Sequence, residues 1–304
     1  MKIFIAGATG AIGNPLVSRL VAEGHQVFGM TRSKERSHHL LKLGATPIIA
    51  DALDASSVVE GIKKSKPEVI VEMLTSLPKE YTPQAMRAAS ALDKKIRSEG
   101  GASLQNAALL TGVRRYMIQS SAFWYEPGAH LADETTPFAF NASPAIAMGT
   151  QEYAHNEQRV LQEKNLEGVV LRLGFLYGPL TWYALDGSMA NRVRKREYPV
   201  IGNGKGVWNF VHVEDVAQAI ALALNCTPGI YNINDDTPVK VSSWLPAYAR
   251  WLGAPSPLTR SVEEELALNG PDSVYYATLL RGATNAKAKR ELGFIPRPLE
   301  WMEI

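Results

Sequence analysis

The opening of the chain constrains its fold more tightly than anything after it. A short apolar run, Lys2 to Ala6, stops at Gly7, and an apolar-periodic stretch from Pro15 to Glu23 follows. The residues between them read Gly7-Ala8-Thr9-Gly10-Ala11-Ile12-Gly13. That is strand, glycine turn and helix. The helix pattern ends at Gly24, which can take the left-handed conformation, and "HQVFGMTR" then reads as a second strand. One βαβ unit is therefore complete by about residue 32. The G-x-x-G-x-x-G spacing is not the commonest dinucleotide fingerprint, but its physical requirements are the same. One glycine allows the tight turn, another lets the backbone approach a pyrophosphate, and a third lets the helix pack closely on the strand. The phosphate charge then meets free N–H groups and the helix dipole. A glycine triplet alone says little; the strand before it and the helix after it supply the context the motif demands. Gly7, Thr9, Gly10, Ala11, Ile12 and Gly13 are thus expected to hold a dinucleotide.

The same alternation recurs along the chain. "TPIIAD", "EVIVEML", "RRYMIQSS", "EGVVLRLGF" and "GIYNIN" are apolar segments with helical stretches between most of them. The pattern predicts an α/β fold: a Rossmann-type, doubly wound parallel sheet covered on both faces. Proline, glycine and tryptophan thicken after residue 174, which predicts a smaller, irregular C-terminal lobe. With 304 residues and 46% hydrophobic content, the chain can bury a large core. The 32 Lys and Arg against 30 Asp and Glu leave a net charge of +2. Such a balance makes no field that would recruit nucleic acid or an anionic membrane, so a small, weakly charged molecule is the expected substrate. Cys226 is the single cysteine, expected as a small packed side chain rather than a nucleophile. No apolar run approaches a membrane span, and the start is too short for a signal-peptide core, so a cytoplasmic location is expected.

The end of the second strand bears on which dinucleotide binds. A carboxylate there would accept from the ribose 2′-hydroxyl of NAD, but the chain offers Thr31-Arg32-Ser33, with Lys34 and Arg36 close behind. Arg32 suits the 2′-phosphate of NADP, although these charges also read as a solvated loop and NAD stays possible. Asp51 follows the third apolar run and could contact the adenine amine, or equally cap a helix starting near Ser56. Thr75, directly after "EVIVEML", is counted with the cofactor contacts.

Taken in order, "GATGAIG", "GVRRYMIQSSAFWY", "VVLRLGFLYGP", "NFVHVEDVAQAI", "GIYNINDD" and "RGATNAKAKRELGFIP" resemble the extended short-chain dehydrogenase/reductase superfamily, in its NAD(P)-dependent epimerase/dehydratase family. The resemblance covers nearly the whole chain. It implies a dinucleotide-binding domain over residues 1–173 and 208–234, and a substrate lobe over 174–207 and 235–304. It also makes a homodimer plausible, through two long helices packing on their counterparts.

The resemblance implies catalysis by a serine or threonine after the fifth strand, and by a tyrosine followed four residues later by a lysine. Ser121 matches the serine position, where a hydroxyl could hold a substrate oxygen as charge develops on it; it could also simply finish the strand. The tyrosine–lysine pair is absent: Tyr153 is followed four residues on by Glu157. Many relatives carry a glutamate four residues after the lysine. Aligned on Glu157, Tyr153 falls at the lysine position and Gly149 at the tyrosine position, with no cation on that helix to lower a phenol pKa. Tyr153 is retained as the candidate proton donor, with Tyr125, Tyr177 and His212 behind it. Without a neighbouring cation, a phenol of pKa about 10 is a poor base at neutral pH but a usable donor. This asymmetry favours an NADP(H)-dependent oxidoreductase reducing a carbonyl, an imine or a conjugated alkene of a small organic molecule. A non-catalytic, dinucleotide-binding regulator is the alternative. A sugar-nucleotide epimerase or dehydratase fits less well, since Arg192, Arg194, Lys195 and Arg196 read equally as a solvated helix face.

Overall fold

A strand buried on both faces must be apolar at successive positions, and β1 (Lys2–Ala6) shows why. Ile3 and Ile5 enter one buried cluster with Leu16, Val17 and Ile220. Phe4 and Ala6 enter another with Val58, Ile62 and Leu104. Alternate side chains thus serve opposite layers. The computed structural model describes residues 1–302 of the chain. Beside β1 lie β2 (Gln26–Thr31), β3 (Thr46–Ile49), β4 (Val69–Glu72), β5 (Arg115–Ser121), β6 (Glu167–Leu173) and the edge strand Gly229–Ile233. Across the sheet the order is Gly229–Ile233, β6, β5, β4, β1, β2, β3. Every pairing is parallel. These seven strands are the apolar runs of the sequence, and the sheet is the doubly wound Rossmann type they predict.

Helices cover both faces. α1 (Gly13–Ala22) and the helix Val213–Leu222 supply one cluster. α2 (Lys34–Lys42) follows β2, and α3 (Ala55–Ser65) packs on the other face. α4 (Pro83–Lys95) runs through a π turn, Ile96–Gly100, straight into α5 (Gly101–Thr111). α6 (Pro144–Leu161) lies between β5 and β6 in the chain. α1 begins two residues before the predicted Pro15, because Gly13 is itself its first helical residue.

A third cluster lies outside the sheet. Trp208, Trp244, Trp301, Phe210, Tyr183 and Tyr248 form its buried centre. Short two-residue and three-residue pairings hold this lobe: Phe175–Tyr177 with Phe210–His212, Val207–Trp208 with Val239–Lys240, and Val200–Ile201 with Thr259–Arg260. The sheet's strand order reverses between β1 and β4. A reversal of this kind opens a crevice at the carboxyl ends of the two strands, where ligands of open α/β sheets bind. No helix among the described residues is long and apolar enough to cross a membrane.

Candidate active site

The glycine turn sits at that reversal. Gly7 leaves β1 with φ +91°, and an ideal Cβ on it would lie 2.6 Å from the Met73 carbonyl oxygen that follows β4. A Cβ on Gly13 would lie 2.2 Å from the Gly7 oxygen. These two glycines are therefore required by the protein itself. Gly10 differs: it is exposed, and a Cβ there would meet the Gly7 oxygen at 3.3 Å and nothing else within 4 Å. Its open side is free for a ligand. The N-terminus of α1 has no side-chain cap and no acid in its first turn, so its N–H groups and dipole stand ready for an anion. Thr9 and Ala11 are half-buried beside Gly10, while Ile12 is buried in the core under the turn. The turn fits a pyrophosphate.

Further along the crevice, Arg32 is exposed immediately after β2, next to Ser33, which caps α2 by accepting from the Arg36 N–H. Asp51 accepts from the Leu53 N–H at 3.0 Å. It does not cap the following helix: α3 starts at Ala55, and Asp54 caps it through the N–H groups of Ser56 and Ser57. That arrangement leaves Asp51, half-buried, at the third strand's carboxyl end. Thr75 is exposed on the loop after β4.

The opposite wall is set by α6, which two buried ion pairs fix to the sheet. Glu157 takes two hydrogen bonds from the Arg172 guanidinium, at 2.8 and 2.7 Å, and one from the Ser120 hydroxyl at 2.5 Å. Arg159 donates to Glu72 at the end of β4, and the Tyr116 hydroxyl donates to the same carboxylate at 2.6 Å. Gly149, Tyr153 and Glu157 recur every four residues and so share one face of the helix. At Gly149, an ideal Cβ would stand 2.6 Å from the Trp124 ring. The indole fills the space a side chain would need there, and its N–H donates to the Tyr276 hydroxyl at 2.9 Å. Tyr153 is half-buried, edge-on to Trp124 at 5.5 Å. The Arg97 guanidinium lies 5.2 Å from the centre of its ring, held by Asp93 at 2.7 Å. A cation thus does stand beside Tyr153, but it comes from the π turn between α4 and α5, not from its own helix. Burial pushes the Tyr153 phenol above its ordinary value, and Arg97 only partly opposes the shift. Asp93 also accepts from the Ser76 N–H at 2.5 Å, tying this group to the loop that carries Thr75.

Ser121 ends β5 and is 1% exposed. Its oxygen accepts from the Phe123 N–H at 3.4 Å, a long contact. The three reserve donors are engaged elsewhere. Tyr125 donates to Asn232 and accepts from Arg172, and burial raises its pKa to about 12. Tyr177 is buried and donates to the Pro298 carbonyl. His212 caps the helix Val213–Leu222 by accepting from the Glu214 N–H, as a helix-entry residue should, and burial holds its pKa below the ordinary value. The basic cluster is structural in part: Arg192 donates to the Tyr81 carbonyl and Arg194 to the Leu185 carbonyl. Cys226 is a free thiol, half-buried, 3.5 Å from the Arg115 guanidinium. Arg97, Asp93, Trp124 and Tyr276 were not legible as a group in the sequence, since they meet only through the tertiary fold.

Comparison with known proteins shows the family. The model of the NAD dependent epimerase/dehydratase family matches residues 3–234. Over 307 aligned residues, 100% of this chain and 98% of the relative, the chain is 37% identical to a 3-diazoavenalumate denitrifying reductase from a Streptomyces species. It is 27% identical to a 4-hydroxy-2-methyl-3-oxo-4-farnesyl-3,4-dihydroquinoline-1-oxide ketoreductase from Stigmatella aurantiaca, covering 81% of this chain and 71% of that one. Among solved structures, the UDP-glucose 4-epimerase of Thermus thermophilus in complex with NAD superposes with a TM-score of 0.74 at 24% identity, over 98% of this chain and 94% of that one. With a family model spanning most of its length and a full-length relative above 30% identity, the chain belongs to the NAD dependent epimerase/dehydratase family.

Proposed function

We propose that the chain is an NADP(H)-dependent reductase of a small organic molecule, delivering hydride to a carbonyl, an imine or a conjugated alkene. The observation that carries this reading is the pairing of Gly149 with Trp124: where the resemblance sets a phenol, an indole fills the space, and Tyr153 stands where it sets a lysine. An alcohol must lose a proton to be oxidised, and nothing in this arrangement is built to take one at neutral pH. Reduction makes no such demand. Two relatives named as reductases support the same direction.

The bound dinucleotide supplies the hydride. The Gly7–Gly13 turn holds its pyrophosphate, Arg32 reads the 2′-phosphate, and Asp51 and Thr75 line the rest of its path. Ser121 keeps its hydroxyl hydrogen free to donate to an oxygen on which charge develops. Tyr153, half-buried and protonated, donates a proton from its hydroxyl. Residues 1–173 with 208–234 form the dinucleotide-binding domain, and 174–207 with 235–304 the substrate lobe. Exposed Leu92 and Leu110, on the rod made by α4 and α5, suit the homodimer face.

A second acceptor is favoured by the full-length Streptomyces relative, named for removing nitrogen from a diazo compound. For an aryldiazonium form, hydride makes the carbon–hydrogen bond while the carbon–nitrogen bond breaks with its electron pair leaving on neutral dinitrogen, so the step balances without a proton. It therefore asks little of a protein acid, which suits a site without the tyrosine–lysine pair. The test is a panel of aryl ketones, cyclic imines, enones and diazo compounds assayed with NADPH and NADH. Consumption of NADPH with one class and slow oxidation of the matching alcohol by NADP+ support the reading. Dinucleotide binding without turnover of any class favours the regulator.

A further inference from the structure

Resting on the reductase reading, we infer that the acceptor is a flat aryl-conjugated molecule of low charge, recognised by the rings at the carboxyl ends of β5 and β6. Phe123 lies two residues past β5 and Phe175 two residues past β6, on the crevice side of the sheet. Their rings stack at 4.2 Å with an interplanar angle of 18°. Phe175 in turn stacks on Trp208 at 3.9 Å and 16°. The three rings make one column. Its inner end, Trp208, is 1% exposed within the aromatic core, while Phe123 and Phe175 are half-buried.

The flanks are aromatic as well. Trp124 meets Phe123 edge-on at 5.2 Å, and Tyr276 stands 6.5 Å from both rings. The polar ends of Trp124 and Tyr276 satisfy each other, and Phe175 is covered on both faces, so the outer face of Phe123 is what the column offers a ligand. Offset stacking and edge contacts of this kind favour a flat π-system over a saturated chain of equal length. They also explain why position 149 is glycine: the indole, not a catalytic phenol, takes that volume.

Charge disfavours a nucleoside diphosphate. A diphosphate is held by several cations, and three arginines of this region already serve the fold. Arg97 pairs with Asp93, Arg192 donates to the Tyr81 carbonyl, and Arg281 donates to the carbonyls of His130 and Glu126. Lys79 on the loop leading to Tyr81 and Lys205 before Trp208 are exposed, and each suits one carboxylate.

The experiment titrates the full chain, saturated with NADP+, with benzylideneacetone, with an aliphatic enone of the same length, and with UDP-glucose, following heat and tryptophan fluorescence. The aryl enone is expected to bind about ten-fold more tightly than the aliphatic one and to quench fluorescence, with UDP-glucose weakest. Phe123→Leu should narrow that ratio while leaving NADP+ affinity in place. Equal affinity for the two enones, tighter binding of UDP-glucose, or no binding of the aryl enone overturns the inference; the wild-type ratio alone decides this if the variant does not fold. The two readings fail separately. Selective aryl binding without NADPH consumption leaves ring recognition standing and removes the reductase, whereas equally efficient reduction of both enones keeps the reductase and removes ring recognition.

Discussion

A side chain at position 149 has nowhere to go, because the Trp124 ring already occupies its place. One turn on, Tyr153 faces the same indole and the Arg97 guanidinium. Burial outweighs Arg97 here, so the phenol stays protonated through neutral pH and can only give a proton. Tyr153→Phe removes the hydroxyl and keeps the ring. Turnover should fall by about ten-fold or more with NADPH affinity retained, since general acids contribute on the order of 10²–10⁴-fold. Unchanged turnover would move the donor to water. Asp235 tests burial in another way. It is 3% exposed, one carboxyl oxygen has no partner among the described residues, and desolvation pushes its pKa up to about 8. The folded state thus holds a proton that the unfolded chain, with a pKa of about 3.9, releases. Stability from this group is complete below the unfolded value and is lost as pH rises towards the folded value near 8. Asp235→Asn, which cannot ionise, should melt several degrees higher than wild type at alkaline pH, with the gap closing as pH falls towards 4. A gap independent of pH would mean that Asp235 is ionised in the fold. The resemblance set the register of Tyr153 through Glu157, but the ion pair of Glu157 with Arg172 that fixes this helix to β6 emerged only in the fold. Nor did the sequence reveal Arg97, whose approach depends on how a helix from an earlier part of the chain docks.

The first turn shows the most that a sequence can disclose about an element. Strand, glycines and helix are contiguous, so local pattern and tertiary role coincide. The three glycines nevertheless do different things. Side chains at Gly7 or Gly13 would strike backbone, whereas Gly10 opens to the crevice. Gly10→Val should therefore fold with nearly wild-type melting yet lose NADPH binding by calorimetry, because the side chain enters the pyrophosphate's space. Unchanged affinity would remove the basis of the cofactor assignment. At the end of β2, Arg32→Ala should weaken NADP about ten-fold or more and leave NAD nearly untouched, a loss on the order of 1.5–3 kcal/mol for a charge-assisted contact. Equal losses for both dinucleotides would show that Arg32 does not read the phosphate. The π turn at Ile96–Gly100 lies at the other limit of legibility. The Gly100–Gly101 pair at its end marks a close approach rather than a π turn, yet this turn sets the direction of Arg97.

Across the whole molecule, the sheet was legible because seven apolar runs must be covered on both faces, and only a wound parallel sheet does that with alternating helices. The C-terminal lobe was legible only as a change in composition. Its strands are two or three residues long, and its packing rests on aromatic contacts between distant segments such as Trp208, Trp244 and Trp301. The same separation explains why the substrate's chemistry could not be read from any one motif: the crevice is walled by residues from β5, β6, α6 and the lobe together. What unites these scales is the proposed site, a dinucleotide crevice joined to a wall that gives a proton and does not take one. Its most direct test is the pH dependence of turnover in both directions, measured on an acceptor found in the panel and on its alcohol product. NADPH-dependent reduction should not rise between about pH 6 and 9, and oxidation of the alcohol by NADP+ should stay slow throughout. A reduction rate that climbs with pH, or brisk alcohol oxidation near neutrality, would show that a deprotonated base works in this site and would contradict the account.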